Sequence, residues 1–237
     1  MGRFPNIAAS KAKTGQAKAK VYSSYAKEIY SVAKQGGTDP NGNLALRHLI
    51  EKAKKEQVPA DVIKRAIDKV NSGADETYTS VRYEGFIAGC ATIIVDCLTD
   101  NVNRTVSLVR NAFTKSKGKM GVSGCVSHMY ENLSIVIVKN ITEDEVLEAL
   151  LVGEVDAKEI EVDEDNISIY GEPADLYQIK EALLSYKSDI EFIVDEVSML
   201  PNEMVTLSGE DKENFDKLLS MLDDIEDVQK VYHNVNL

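Results

Sequence analysis

This chain has little with which to build a reactive centre. It carries three cysteines, three histidines and no tryptophan in 237 residues. Cys90, Cys97 and Cys125 include no Cys-x-x-Cys pair. An odd, sparse count argues against a disulfide framework and for reduced thiols, packed as small hydrophobes, in a cytoplasmic protein. His48, His128 and His233 lie far apart. Cys125 and His128 are three apart, but zinc takes about four ligands and no second pair follows. Gly118-Lys119-Met120-Gly121 lacks the spacing of a phosphate loop. No apolar run approaches the roughly 20 residues of a membrane span. The basic, Ala-rich N-terminus has no apolar core, so no secretory signal is expected. The clusters Glu143-Asp144-Glu145 and Asp223-Asp224-Ile225-Glu226-Asp227 read as solvated helix starts or turns. These absences point away from an enzyme. No catalytic residue, metal, cofactor, membrane contact or small-molecule substrate is expected.

Positive charge is scarce in one part of the chain only. Residues 1–72 hold 14 Lys/Arg against 6 Asp/Glu, +8, whereas residues 73–237 hold 13 against 33, −20. Such segregation suggests that one end meets a polyanion. The alternative is a dipolar protein whose ends attract each other.

Hydrophobic period divides the chain. A first helix is expected from Ala17 to Gln35, with a stripe of Val21, Tyr25, Ile29 and Val32, stopped by Gly36-Gly37. A second follows from Leu44 to Gln57. A third begins at Pro59, whose missing N–H costs little there, and ends near Gly73. Gly73 to Ser80 is a polar linker. After it come strands and helices: Ala91–Leu98, a helix with Val102, Val106, Val109 and Phe113 on one face, and a strand through Val126 to Tyr130. Residues 132–200 then read as a complete β-α-β-β-α-β unit, the ferredoxin-like arrangement. A closing strand at Met204–Leu207, a helix at Glu210–Leu222 and a strand at Val228–Val235 lack a partner nearby in sequence. Pairing them with the earlier β-α-β gives a second such sheet. The expected class is α+β, a basic N-terminal three-helix domain (1–76) followed by two ferredoxin-like α/β domains. The second of these (132–200) is inserted into the first (77–131 plus 201–237).

Several stretches carry a resemblance. They are Arg82-Tyr83-Glu84-Gly85-Phe86, Leu98 to Thr105 (Leu-Thr-Asp-Asn-Val-Asn-Arg-Thr), Val109-Arg110-Asn111-Ala112-Phe113 and Gly121 to Ser127 (Gly-Val-Ser-Gly-Cys-Val-Ser). Ala33 to Asn41 and Val58 to Ile67 add to them. Together they resemble the YebC family, bacterial regulators of gene expression with a mitochondrial translational-activator relative. Most members open Gly-His-Ser-Lys-Trp. The start here, Met1-Gly2-Arg3-Phe4-Pro5-Asn6-Ile7, is closer to the YeeN-like branch. The resemblance implies a three-domain architecture and one of two activities. One is transcriptional regulation through DNA. The other is action on RNA and the ribosome as a translation factor easing consecutive prolines.

Three groups of residues fit nucleic acid. Lys11, Lys13, Lys18, Lys20, Lys27, Lys55, Lys64 and Arg65 can neutralise phosphates and release counterions, or be ordinary solvated faces. Asn101, Asn103 and Arg104 stand where a helix N-terminus presents free N–H groups to an anion, with a guanidinium fork beside them. Equally, the asparagines cap and Arg104 bridges to Glu84 or Asp100. Arg82 and Tyr83 can offer a cation and a stacking face, or Tyr83 belongs to the core. A purely protein-binding adaptor is the remaining reading.

Overall fold

The computed structural model describes residues 18–73, 76–87, 89–163 and 166–236. Three helices come first: α1 (Lys18–Gly36), α2 (Leu44–Lys55) and α3 (Ala60–Asn71). Ile29, Ala33, Leu46, Ala53, Ile63 and Ala66 form their common core. Asn43 caps α2, its side chain accepting from Leu46 N. It also donates to the Gly37 carbonyl at 2.9 Å and so ties the chain end of α1 to the start of α2.

The first sheet runs in the order β3-β1-β2-β8. Its strands are β1 (Thr79–Ile87), β2 (Ala91–Thr99), β3 (Lys119–Met120) and β8 (Val228–His233), all antiparallel. Helices α4 (Val102–Lys115) and α7 (Gly209–Asp223) contribute Val109, Phe113, Phe215, Leu218 and Leu222 to its core. The inner pair is a hairpin. That differs from the expected assembly of two β-α-β arms. Residues 79–87 escape a periodic reading because Gly85 and the exposed Phe86 interrupt the alternation of Val81, Tyr83 and Ile87 with Arg82 and Glu84. The expected strand at Val126–Tyr130 is a 3₁₀ turn at Ser127–Met129, and Met204–Leu207 shrinks to one parallel bridge, Val205 to Val235.

The second sheet comprises β4 (Tyr130–Lys139), β5 (Glu159–Asp163), β6 (Asn166–Gly171) and β7 (Glu191–Pro201), ordered β5-β6-β4-β7. Helix α5 (Glu143–Val152) joins β4 to β5, and α6 (Leu176–Tyr186) joins β6 to β7. With the central strands being the first and third of the unit, this is the ferredoxin-like arrangement. Thr142 and Glu145 form a reciprocal capping box at the start of α5, which offsets the orphan amides of its first turn. Val136, Val138, Ile167 and Ile169 face these helices. Leu133, Ile135 and Ile137 alternate to the other face, clustering with Tyr170 and Val194. The chain is mixed α+β: a helical region, then two antiparallel sheet domains, one inserted in the other. By contact density the helical region and the first sheet make one unit, and residues 127–204 make another.

Candidate nucleic-acid interface

The motifs of the first sheet interlock. Glu84 is 2% exposed although its strand neighbours suggest a surface position. Its carboxylate accepts from Gly124 N at 2.9 Å and Val126 N at 2.7 Å, and its carbonyl from Gly121 N at 2.8 Å. These charge-assisted bonds satisfy a buried carboxylate and shape the 121–126 loop. Gly85 is required beside it. A Cβ there would stand 2.5 Å from the Phe113 ring and 2.7 Å from the Lys119 carbonyl. The linear sequence offered Glu84 as a partner for Arg104; its bonds to the 121–126 loop emerge only from the tertiary structure, where Arg104 meets Asp100 and Asp227.

The Arg82-Tyr83 pair separates by strand alternation. Tyr83 points into the core and burial raises its pKa, so it is no stacking platform. Arg82 is exposed and forks onto Asp96 across the hairpin, Nε to Oδ1 at 2.6 Å and Nη2 to Oδ2 at 2.8 Å.

A second network assembles around Asp227, in the acidic turn taken from sequence as solvated. Its side chain is 3% exposed. Oδ2 accepts from Arg104 Nη2 at 2.8 Å, from the Thr105 hydroxyl at 2.8 Å and from the Thr99 hydroxyl at 3.1 Å. Oδ1 faces Lys27 Nζ at 3.1 Å. Arg104 also holds Asp100 at 2.7 Å. Asn101 is the N-cap of α4, its Oδ1 accepting from Arg104 N at 3.1 Å, and Asn103 is exposed one turn in. The buried face of α4 is therefore Thr105, Val109, Ala112 and Phe113, and Val102 stays exposed. The expected Val102 stripe is displaced because Thr105 turns inward to reach the carboxylate.

Burial alone would raise Asp227, but the bonds from Arg104, Thr105 and Lys27 outweigh it and hold the carboxyl at about 2. The unfolded value is roughly 3.9. A depressed carboxylate contributes stability that is complete above the unfolded pKa and lost as pH falls through the folded one. The network is therefore expected to lose about 2 kcal/mol between roughly pH 5 and pH 2. Glu28 works against this. Burial raises it despite Lys52 and Lys230. Urea titrations at stepped pH, comparing the native chain with Asp227→Asn, isolate the Asp227 contribution as the difference between the two curves. Parallel curves would contradict it.

Of the expected cations, Lys11 and Lys13 lie outside the described residues. Lys20 meets Asp223, donating to its carbonyl and facing Oδ1 at 3.2 Å. Lys27 meets Glu226 at 3.4 Å as well as Asp227. Lys20, Lys27 and Arg104 thus converge on one acidic turn. Lys18, Lys54, Lys64 and Arg65 are exposed and take part in no ion pair among the described residues. Lys55 is exposed at the end of α2. Helices α2 and α3 are joined by Glu56-Gln57-Val58-Pro59, in which Gln57 takes a left-handed φ of 59°. Among the described residues, no group of three or more His, Cys, Asp or Glu side chains is placed to hold a metal ion, and no helix is long and apolar enough to cross a membrane.

Residues 2–73 match the family model described as the TACO1/YebC protein N-terminal domain, and residues 78–235 match the model of the TACO1/YebC second and third domain. The chain belongs to the TACO1/YebC family. Relatives share its full length. A probable transcriptional regulatory protein of Alcanivorax borkumensis is 48% identical over 238 residues, covering 100% of both chains. One from Pseudoalteromonas atlantica is 49% identical over 235 residues, covering 99% of this chain and 97% of that one. A crystal structure of a conserved hypothetical protein from Aquifex aeolicus matches at a TM-score of 0.77 and 34% identity, covering 95% of this chain and 93% of that one. In TACO1/YebC terms, the Glu84 network lies in the part of the chain matched by the second and third domains, and the Asp227 network joins that part to Lys27 of the N-terminal domain.

Proposed function

We propose that this protein is a regulator of gene expression that binds nucleic acid electrostatically and carries out no chemistry of its own; its relatives are named probable transcriptional regulatory proteins, which makes DNA the first target to test. The observation behind this reading is the set of exposed cations on α2 and α3, Lys54, Lys64 and Arg65, on a chain whose other part carries −20. Cations without an internal partner are free to replace counterions on phosphates. The four-residue connection between α2 and α3 has the length of a helix-turn-helix, which supports α3 as the helix nearest the duplex.

One observation favours RNA or the ribosome instead. The exposed face of α3 alternates Asp61 and Asp68 with Lys64 and Arg65, and Arg65 is the base-reading type among them. Such a face suits recognition of backbone and shape better than of sequence. Two measurements separate the readings. A protected footprint on genomic DNA fragments is the result expected for transcriptional regulation. Co-sedimentation with ribosomes, lost as salt rises, without any footprint, would replace it by the translation reading. Absence of both would leave the adaptor.

The proposed boundaries, 1–76, 77–131 with 201–237, and 132–200, have their own test. Replacing 132–200 by a short Gly/Ser linker should leave a cooperative thermal transition, because β4 to β7 complete their sheet without the rest. A molten product from both the shortened chain and the isolated segment would contradict the division.

A further inference from the structure

Of the expected phosphate-binding residues, Lys20 and Lys27 of α1 and Arg104 of α4 are already occupied by carboxylates. Four polar side chains on one face of α1 meet the turn that follows α7. Lys20 meets Asp223, Ser23 donates to Glu226 at 2.8 Å, Ser24 bonds Gln229, and Lys27 meets Glu226 and Asp227. Carboxylate oxygens there hold the cations as phosphate oxygens hold them. We propose that the 223–227 turn is a built-in competitor of nucleic acid: it holds α1 in the free protein, and a phosphate backbone displaces it from Lys20 and Lys27. The inference rests on the nucleic-acid reading above and adds its regulation.

Two features make the contact releasable. The apolar cluster of the helical region and that of the first sheet share no residue, and Lys20, Ser23, Ser24 and Lys27 meet the sheet side through polar contacts, with Tyr30 against Tyr78 the ring contact beyond them. The polar contacts weaken in salt and yield to a stronger polyanion, whereas a shared apolar core does not. The buried Asp227 also stays satisfied when α1 leaves. Arg104, Thr99 and Thr105 all belong to the sheet side and keep its Oδ2 filled. Opening therefore does not strand an unpaired charge, the event that makes most buried ion pairs irreversible. Asp223 and Glu226, by contrast, return to water readily; their side chains are 42% and 67% exposed.

The test is the full chain with Asp223→Asn and Glu226→Gln together. Its control is Glu213→Gln with Asp216→Asn on the exposed face of α7, which changes net charge equally and touches no residue of α1. Affinity is read by anisotropy of a labelled mixed-sequence duplex of about two turns, and of its single strand, at low salt. Thermal melts verify that both variants are folded. The latch variant should bind about tenfold tighter, the combined effect of releasing two partly exposed ion pairs, Lys20–Asp223 and Lys27–Glu226. The control should move less than about twofold, as expected of charges remote from the contact. Equal tightening of both variants, or of neither, overturns the latch while native binding leaves the regulator reading standing. Failure of all three proteins to bind either probe overturns that reading and the latch with it.

Discussion

Asp227→Ala is expected to cost about 3 kcal/mol of folding free energy, because removing one member of a buried, hydrogen-bonded ion pair leaves its partners uncompensated. Lys27, with 13% of its side chain exposed, loses its better-buried carboxylate, and the Thr99 and Thr105 hydroxyls, both fully buried, lose their charged acceptor, Thr105 keeping the Asn101 carbonyl at 3.1 Å. Arg104→Ala should cost less, about 1–2 kcal/mol, since it is half exposed and Asp227 keeps Lys27 and two hydroxyls. Asp100→Ala, at an exposed pair, should stay within about 0.5 kcal/mol. Urea midpoints for the three variants give this order directly. Equal costs for Asp227 and Asp100 would show that the network adds nothing beyond a surface ion pair. A double-mutant cycle of Arg104 with Asp227 isolates their coupling.

The second large effect concerns the cations. If about six of them contact phosphates, log K should fall against log salt with a slope near −5 on a duplex and less steeply on a single strand. Lys64→Glu with Arg65→Glu should flatten that slope by about two units and weaken binding at least tenfold at low salt. The pair Lys18→Glu and Lys20→Glu should act differently from what charge counting suggests. Lys20 starts in an ion pair with Asp223 that a phosphate must displace, so the slope should flatten by about two units while affinity at low salt falls less than for the Lys64 and Arg65 pair. Lys20→Glu also sets like charges together, which loosens α1 from the turn. Titrations across a range of salt, on variants verified by thermal melting, measure both quantities. Salt-independent binding would remove the electrostatic reading, and full binding by a chain lacking residues 1–72 would move the interface elsewhere.

Periodicity read from the residues alone located α1 to α3, α4, and every element of the inserted domain within a few positions. Each has a strong local cause: Gly36-Gly37 stops α1, Asn43 and Asn101 cap, and Leu133 to Val138 is a β-branched run on an inner strand. The charge segregation was equally plain, being a matter of composition. What sequence alone left open is what depends on partners far away along the chain. Strand β1 looks irregular because Gly85 stands at an inward position to admit the Phe113 ring and Phe86 at an outward one, while Glu84 is buried by the 121–126 loop rather than by its own strand.

The same distinction decides the candidate site. Arg104 and Asp227 are 123 residues apart, and Lys27 and Asp227 are 200 apart. No local pattern distinguishes Asp227 from Asp223, Asp224 or Glu226. All four are carboxylates in one acidic turn, and only the strand register that carries Asp227 beneath Thr99 and Thr105 takes it out of water. Once it is there, desolvation makes an unpaired carboxylate expensive, and the hydroxyls and cations around it follow from that cost. Residue type and spacing thus determined that this chain has a helical region rich in cations followed by two sheets. The tertiary structure decided which of its cations face water and which are already held by its own carboxylates, because ion pairing depends on distance in space and on the dielectric of the site, neither of which is written locally in the chain.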